Sequence, residues 1–425
     1  MTNFIVILLI ILSLVLLRFK HKDIFNKLKS IVFIIIVVFM VFFIVLYPKE
    51  IIDAAHNGII LWANVVLPSL LPFFIGAEVL VGLGVVKFIG VLIEPLIRPI
   101  FNVPGEASFV FAMSITSGYP MGVKLTANLR KNKTISKSEA QRIISFCSTS
   151  GPLFMIGSVA IGMFNNASIG PYIILAHYLS AITVGIIFKF IYIDSTPKNF
   201  NKCDGKNIFK KAIEEMLKEK QNDGRTIGKL LGDSVKEAIS TLVLVGGMIV
   251  TFSVITEELY LIGFFNYIMS AIKFVTYNTI SIPKGIIEAM LTGIIEITMG
   301  CKIASEALLI QPTTQITLAT MIISWSGLSI HAQSASLLNG TDINMNSYMI
   351  SKLLHSIISG IYVLFILKLT NFNYTPLDKE AFFHIINRSV KYTWADNLIF
   401  ASSMFIVIFI VLLIISILLG LSKRK

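Results

Sequence analysis

The chain has 425 residues, 55% of them hydrophobic and 14% charged, with a mean hydropathy of +0.81 and a formal net charge of +12. Soluble domains carry about 25% charged residues, so the composition excludes a soluble globular fold, and the lack of short alternating apolar segments excludes a β-barrel. Basic residues gather in short loops between apolar runs, which the positive-inside rule explains without a nucleic-acid partner.

Taken in chain order, residues 3–17 form an apolar run with neither a basic leader nor a small-residue cleavage site, and so read as an uncleaved first span. Arg18, Lys20, Lys22, Lys27 and Lys29 place the next loop inside, and 31–47 is the second span. Residues 1–50 are thus an anchoring helix pair. A first repeat is expected over 51–193. It opens with a span at 58–83, interrupted by Pro68 and Pro72 and holding Glu78, and one at 85–101 holding Glu94. Val103-Pro104-Gly105-Glu106 reads as a turn and helix start, with Glu106 in the first turn. The span at 107–125 is broken by Ser117-Gly118-Tyr119-Pro120-Met121-Gly122-Val123-Lys124. Arg130, Lys131, Lys133, Lys137 and Arg142 mark a second inside loop, in which Ser136 and Glu139 form a capping box. The helix it opens is broken by Ser148-Thr149-Ser150-Gly151-Pro152, and 171–193 spans again with His177 inside.

The polar segment 194–236 predicts a cytoplasmic linker with an amphipathic helix over 209–220. A second repeat over 237–370 carries spans at 237–256, 260–282, 285–302, 312–336 and 347–370. Residues 371–396 suit an extracytoplasmic loop, and 397–420 is a last span with Ser422-Lys423-Arg424-Lys425 inside; the 371–425 segment completes the chain. The total is about 13 spans with the N-terminus outside, fewer where a broken helix is re-entrant. Cys147, Cys203 and Cys301 show neither metal nor disulfide spacing, so no cofactor is expected, and no catalytic set argues for an enzyme.

The two halves match. Pro104 to Lys124 and Pro283 to Lys302 both run from a proline turn through an apolar helix to Met-Gly-x-Lys, with the lysines 302 − 124 = 178 positions apart. Ser148-Thr149-Ser150-Gly151 matches Ser324-Trp325-Ser326-Gly327 at 324 − 148 = 176. The loop after Lys124 is basic, whereas the loop after Lys302 holds Glu306, so the second repeat is expected upside down relative to the first. The fold expected is therefore all-α and polytopic, with two inverted-topology repeats of broken or re-entrant helices and a site at their interface.

Such breaks free backbone groups that must face protein or water, and half-helix N-termini favour anions. The expected site therefore combines Lys124 and Lys302 with Ser117, Gly118, Tyr119, Gly122, Ser150, Gly151, Gly300, Ser326 and Gly327. Hydroxyls of Ser114, Thr116, Ser148, Thr149, Ser324 and Ser329 add donors, and Tyr119, Trp325 and His331 can meet a ring. Two ammonium groups on one site call for a small dicarboxylate. The competing explanations are that the lysines snorkel to the interface and that the glycines serve close packing. Among intramembrane acids, Glu296 is assigned to the site and Glu288 to the same broken helix; Glu94 and Glu106 fit interfacial or capping roles. His177 reads as an interhelical hydrogen-bonder.

At Pro104-Gly105-Glu106, Ser117 to Lys124, Ser150-Gly151-Pro152-Leu153-Phe154-Met155 and Ala176-His177-Tyr178-Leu179, the chain resembles the YlbJ-type sporulation integral membrane proteins, which carry the nucleoside-recognition Gate domain. The resemblance covers about residues 50–370. It implies a multi-pass membrane protein of endospore formers that moves dipicolinic acid from the mother cell across the outer forespore membrane. Its partners would be a small anionic substrate and the lipid bilayer, with no nucleic acid; homo-oligomerisation stays open. The alternatives are a nucleoside-type transporter, which the Gate label suggests, and a non-transporting scaffold needed for spore formation.

Overall fold

The computed structural model describes residues 22–193, 208–275, 282–307 and 310–370. The expected first span at 3–17, the linker up to residue 207 with Cys203, and the whole 371–425 segment lie outside them. Among the described residues all regular structure is helical. Four helical stretches are long and apolar enough to cross a bilayer: Pro48–Gly82, Ala167–Ile191, Ile227–Leu261 and Met345–Leu369.

The helices fall into two compact units, one holding residues up to 59 with 250–282, the other 60–249 with 283 onward. Neither unit coincides with one expected repeat. The first unit contains α1 (Lys22–Leu46), most of α2 (Pro48–Leu61), the end of α10 (Ile227–Leu261) and α11 (Phe264–Val275). Small residues close it: a Cβ added at Gly58 would stand 3.2 Å from Ser253 Cβ, and Ser253 Oγ donates to Ala54 O at 2.8 Å.

The second unit starts with a π-helical turn (Trp62–Val66), α3 (Leu67–Gly82) and α4 (Val85–Phe101). Next come α5 (Glu106–Ser117), α6 (Met121–Lys131), α7 (Lys137–Cys147), a π-helical segment (Phe154–Met163) and α8 (Gly170–Ile191). The amphipathic α9 (Ile208–Asp223) packs on α4 and leads into α10. The order then recurs as α12 (Lys284–Ile295), α13 (Ile297–Glu306), α14 (Pro312–Trp325), α15 (Gly327–Leu338) and α16 (Met345–Leu369). Local signals account for the boundaries. Ser136 and Glu139 make the reciprocal capping box at the start of α7, and Glu106 opens α5 beside the positive end of its dipole. Pro283 caps α12 and Pro312 is the first residue of α14, positions where a missing N–H costs nothing.

The two expected repeats share one core. Helix α8 packs on α16, and both pack on α14, around Ile173, Ala176, Ala319 and Val363, all 0% exposed. Tyr172, near the start of α8, reaches Thr370 just past the end of α16. Tyr192, just past the end of α8, bonds Ser347 near the start of α16. The two helices therefore run antiparallel.

A polar clasp joins the repeats at the α6–α7 and α15–α16 connections. Arg130 Nε and Nη2 donate to the two oxygens of Asp342 at 2.8 Å, and Gln141 and Asn344 exchange two bonds of 2.8 and 3.1 Å. The bidentate guanidinium holds the Asp342 carboxyl below its ordinary range. A depressed carboxyl contributes stability that is present above its unfolded-state pKa and lost as pH falls through the folded one. The clasp is therefore expected to hold at neutral pH and to loosen only below about pH 4. Hydrogen exchange at Ile343 should rise in that window in the wild type and be already fast at pH 7 in Asp342→Asn.

Candidate functional site

Four helix interruptions meet inside the second unit. Gly118 holds φ +71° between α5 and α6, a left-handed conformation that glycine adopts without Cβ strain. A Cβ there would lie 2.7 Å from Gly151 N, so the first break packs against the second, at residues 148–151. The second repeat does the same. Its first break is at Glu296, in extended conformation between α12 and α13. Its second is at Ser326, with φ +74°, between α14 and α15. A Cβ at Gly327 would stand 3.1 Å from Ile295 O and 3.3 Å from Glu296 Cα.

A cavity of about 90 Å³ opens between the breaks. One water needs roughly 10–15 Å³ on that measure, so it holds several waters or one compact solute and excludes a peptide. One wall is apolar, from Val66, Leu70 and Phe74 on α3 and its preceding turn and from Val245, Met248 and Ile249 on α10. The polar lining comes from Thr116, Ser117, Gly118, Tyr119, Ser150, Gly151, Glu296, Thr298, Ser329 and Gln333. Four helix N-termini supply residues to it. Tyr119 precedes α6, Leu153 and Phe154 open the π-helical segment, Ile297 and Thr298 open α13, and Ser329 lies in the first turn of α15. A helix N-terminus offers N–H groups without intrahelical partners and about half a positive charge. At α13 the Glu296 carboxyl takes these groups itself, accepting from Met299 N–H at 2.7 Å and bonding the N–H groups of Thr298 and Ile297.

Behind Tyr119 lies a buried lysine that the sequence reading missed. Lys352 on α16 is 0% exposed. Its Nζ donates to Tyr119 Oη at 2.8 Å, to Ser148 O at 2.8 Å and to His355 Nδ1 at 3.1 Å. His355 Nε2 bonds His177 O at 2.9 Å, and the two imidazoles lie 4.6 Å apart. His177 in turn accepts from Ser150 N–H at 3.1 Å through Nε2 and bonds Ser324 Oγ at 2.8 Å through Nδ1. Tyr178 Oη closes the web by donating to Ser150 O at 2.9 Å. His177 and His355 are separated by 178 positions, the spacing between the two Met-Gly-x-Lys motifs. The sequence carries one local sign of it, Lys352 and His355 on one face of an apolar span at a spacing of three, but not its burial.

The expected site residues divide into four groups. Ser117, Gly118, Tyr119, Ser150, Gly151 and Glu296 come together on the cavity. Ser326 and Gly327 form a break that packs on Glu296 without lining it. Gly122, the second residue of α6, and Gly300, the fourth of α13, serve close packing: a Cβ on Gly122 would be 1.7 Å from Cys147 O, and one on Gly300 2.3 Å from Gly293 Cα. The lysines are not brought together. Lys124 sits on an exposed face of α6, and Lys302 pairs with Glu306 at 2.7 Å with its side chain 35% exposed. Neither lines the cavity. The motif that drew attention to them marks a helix crossing, and the break in the second repeat falls at Glu296, ahead of Met299-Gly300. Trp325 and His331 are also off the cavity, their rings 4.5 Å from each other. Glu288 pairs with Lys284 at 3.1 Å, and Glu94 with Arg98 at 2.5 Å. Among the described residues no cluster of His, Cys, Asp or Glu is arranged to hold a metal.

Residues 63–167 match the Gate family, described as nucleoside recognition; this is the stretch that supplies both breaks of the first repeat. The chain is 35% identical over 353 residues to the sporulation integral membrane protein YlbJ of Bacillus subtilis (strain 168), covering 81% of this chain and 84% of that protein. It is also 29% identical over 149 residues to an uncharacterized protein of Alkalihalophilus pseudofirmus, over 34% of this chain and 30% of that one. A solved structure of CNTnw in its intermediate 1 state is similar over 80% of this chain and 87% of that chain, at 15% identity and a TM-score of 0.40, too weak a likeness to carry fold or function.

Proposed function

Because this chain belongs to the family of the sporulation integral membrane protein YlbJ, we propose that it is a transporter of a small dicarboxylate anion, dipicolinic acid, from the mother cell across the outer forespore membrane. The observation that carries this reading is the convergence of four helix N-termini on one cavity of solute size. Unpaired N–H groups and hydroxyls at such termini bind carboxylate oxygens without a lysine in the wall. The two carboxylates of the solute would lie toward the breaks of the two repeats, and its ring against Phe74, Met248 and Ile249. Transport would proceed by alternating access between repeats of opposite topology. The antiparallel course of α8 and α16 supports that topology, because repeat-equivalent helices in an inverted pair run in opposite directions.

A second reading has its own observation. Glu296 and Gln333 line the cavity, and such groups suit a neutral solute with donors and acceptors, as in a nucleoside-type transporter. Uptake into liposomes containing the purified protein separates the two. Saturable accumulation of dipicolinate, with uridine excluded, is expected. Uridine uptake without dipicolinate uptake would transfer the function to the second reading, and flux of neither would leave a scaffold.

A further inference from the structure

The hydrogen-bond inventory around Lys352 assigns its charge. Ser148 O is a pure acceptor, and His355 Nδ1 must accept because the Nε2 hydrogen of that ring is directed to a carbonyl, His177 O. Tyr119 has one hydrogen, directed away from Lys352 to Ile323 O at 3.1 Å or to the neighbouring Ser326 hydroxyl, so its oxygen receives the third bond from Nζ. Three acceptors require three hydrogens, which only an ammonium has. A neutral amine would leave the Tyr119–Ile323 contact without a hydrogen. Among the described residues no carboxylate forms an ion pair with this ammonium, so its charge is held by dipoles alone.

We propose that Lys352 makes this cavity select anions, acting through the phenol of Tyr119. The proposal rests on reading the cavity as the solute site. Tyr119 lines the cavity, and Lys352 does not; the ammonium stands one side chain behind the wall, with Nζ also 4.8 Å from the centre of the Tyr119 ring. A donor bonded to its oxygen polarises the phenol, making its own O–H a stronger donor. Its contact with Ile323 O is long. A carboxylate entering the cavity offers a better acceptor, and rotation about the C–O bond redirects the hydrogen to it while Oη keeps accepting from Nζ. No proton changes owner. A neutral solute of the same shape gains little from the buried charge, whereas an anion gains its full attraction in a low-dielectric site. Lys352 is thus a positioning residue, and Tyr119 is the group that touches the solute.

The test compares pyridine-2,6-dicarboxylate with its neutral diamide, which has the same ring and nearly the same outline, binding to the full-length protein in detergent. The wild type is expected to prefer the dianion. Lys352→Met, which keeps chain length and removes the charge, should weaken dianion binding by about 10- to 100-fold and diamide binding far less, so the preference collapses. A purely structural role would weaken both compounds together. Tyr119→Phe keeps the ring and removes the relay, so it should collapse the preference too, and it carries the test where Lys352→Met does not fold. A wild type that prefers the dianion, alongside folded variants that prefer it equally, overturns the proposal while leaving the solute site standing. A wild type that binds neither compound overturns the site and the proposal together.

Discussion

Gly122→Val is expected to leave no folded protein in the membrane. A Cβ at this position would lie 1.7 Å from Cys147 O and 2.7 Å from Cys147 C, both backbone atoms of the neighbouring α7. No rotamer change relieves that contact, so α6 and α7 would have to move apart. They meet where Cys147 leads directly into the second break, so the movement would also displace Ser148, whose carbonyl takes a bond from Lys352. Overpacking of a well-packed core costs about 1–3 kcal/mol when side chains can yield; here backbone must yield, and valine adds two more carbons. The check is the monodisperse fraction of a fluorescent fusion after solubilisation, compared with Gly232→Val, where an added Cβ meets nothing within 4 Å. Equal monodisperse yield from the two variants would remove the crossing from the account of this fold.

The same residue shows how far the sequence could be read. The break at Gly118-Tyr119-Pro120 and the one at residues 148–151 were legible, because glycine, proline and consecutive hydroxyl residues in an apolar run have few other uses. The recurrence of the pattern was legible for the same reason. What could not be read was which side of the helix each residue takes after the break. Met-Gly-x-Lys follows the break in both repeats, so its glycine falls at the helix crossing and its lysine turns away from the cavity. In the second repeat the chain is interrupted by Glu296 in extended conformation, and nothing in Ile-Glu-Ile announces that without the cap it makes to Met299. Lys352 was hidden by its position near one end of a span, where a lysine ordinarily snorkels to water. Its full burial depends on α8 and α14 packing over it, a property of the assembled repeats that no local pattern encodes.

His177→Leu should cut dipicolinate uptake sharply while largely sparing the fold, and a second replacement reveals why. His177 Nε2 accepts the N–H of Ser150, which belongs to the cavity wall, and Nδ1 bonds Ser324 Oγ across the repeat interface. Because Nε2 accepts, the ring hydrogen is on Nδ1, and the residue joins one break of each repeat. Leucine fills a similar volume but leaves the Ser150 N–H buried without a partner, a loss of about 1–3 kcal/mol. If the break relaxes to recover that bond, the binding-competent arrangement becomes a minority state, and apparent affinity falls by its fraction, about 5- to 150-fold for that energy. Glutamine places an amide oxygen near the position of Nε2 and an amide N–H on the same side chain, so His177→Gln should recover a substantial part of the uptake that His177→Leu loses. His355→Leu is the informative contrast: it removes an acceptor from the Lys352 ammonium rather than a tie on the wall, and should lower thermal stability more than His177→Leu does. Uptake of dipicolinate into liposomes, read beside detergent melting curves for the three variants, decides the point. Wild-type uptake by His177→Leu would mean that the Ser150 break holds its shape unaided, and that the histidine pair only packs the join between the repeats.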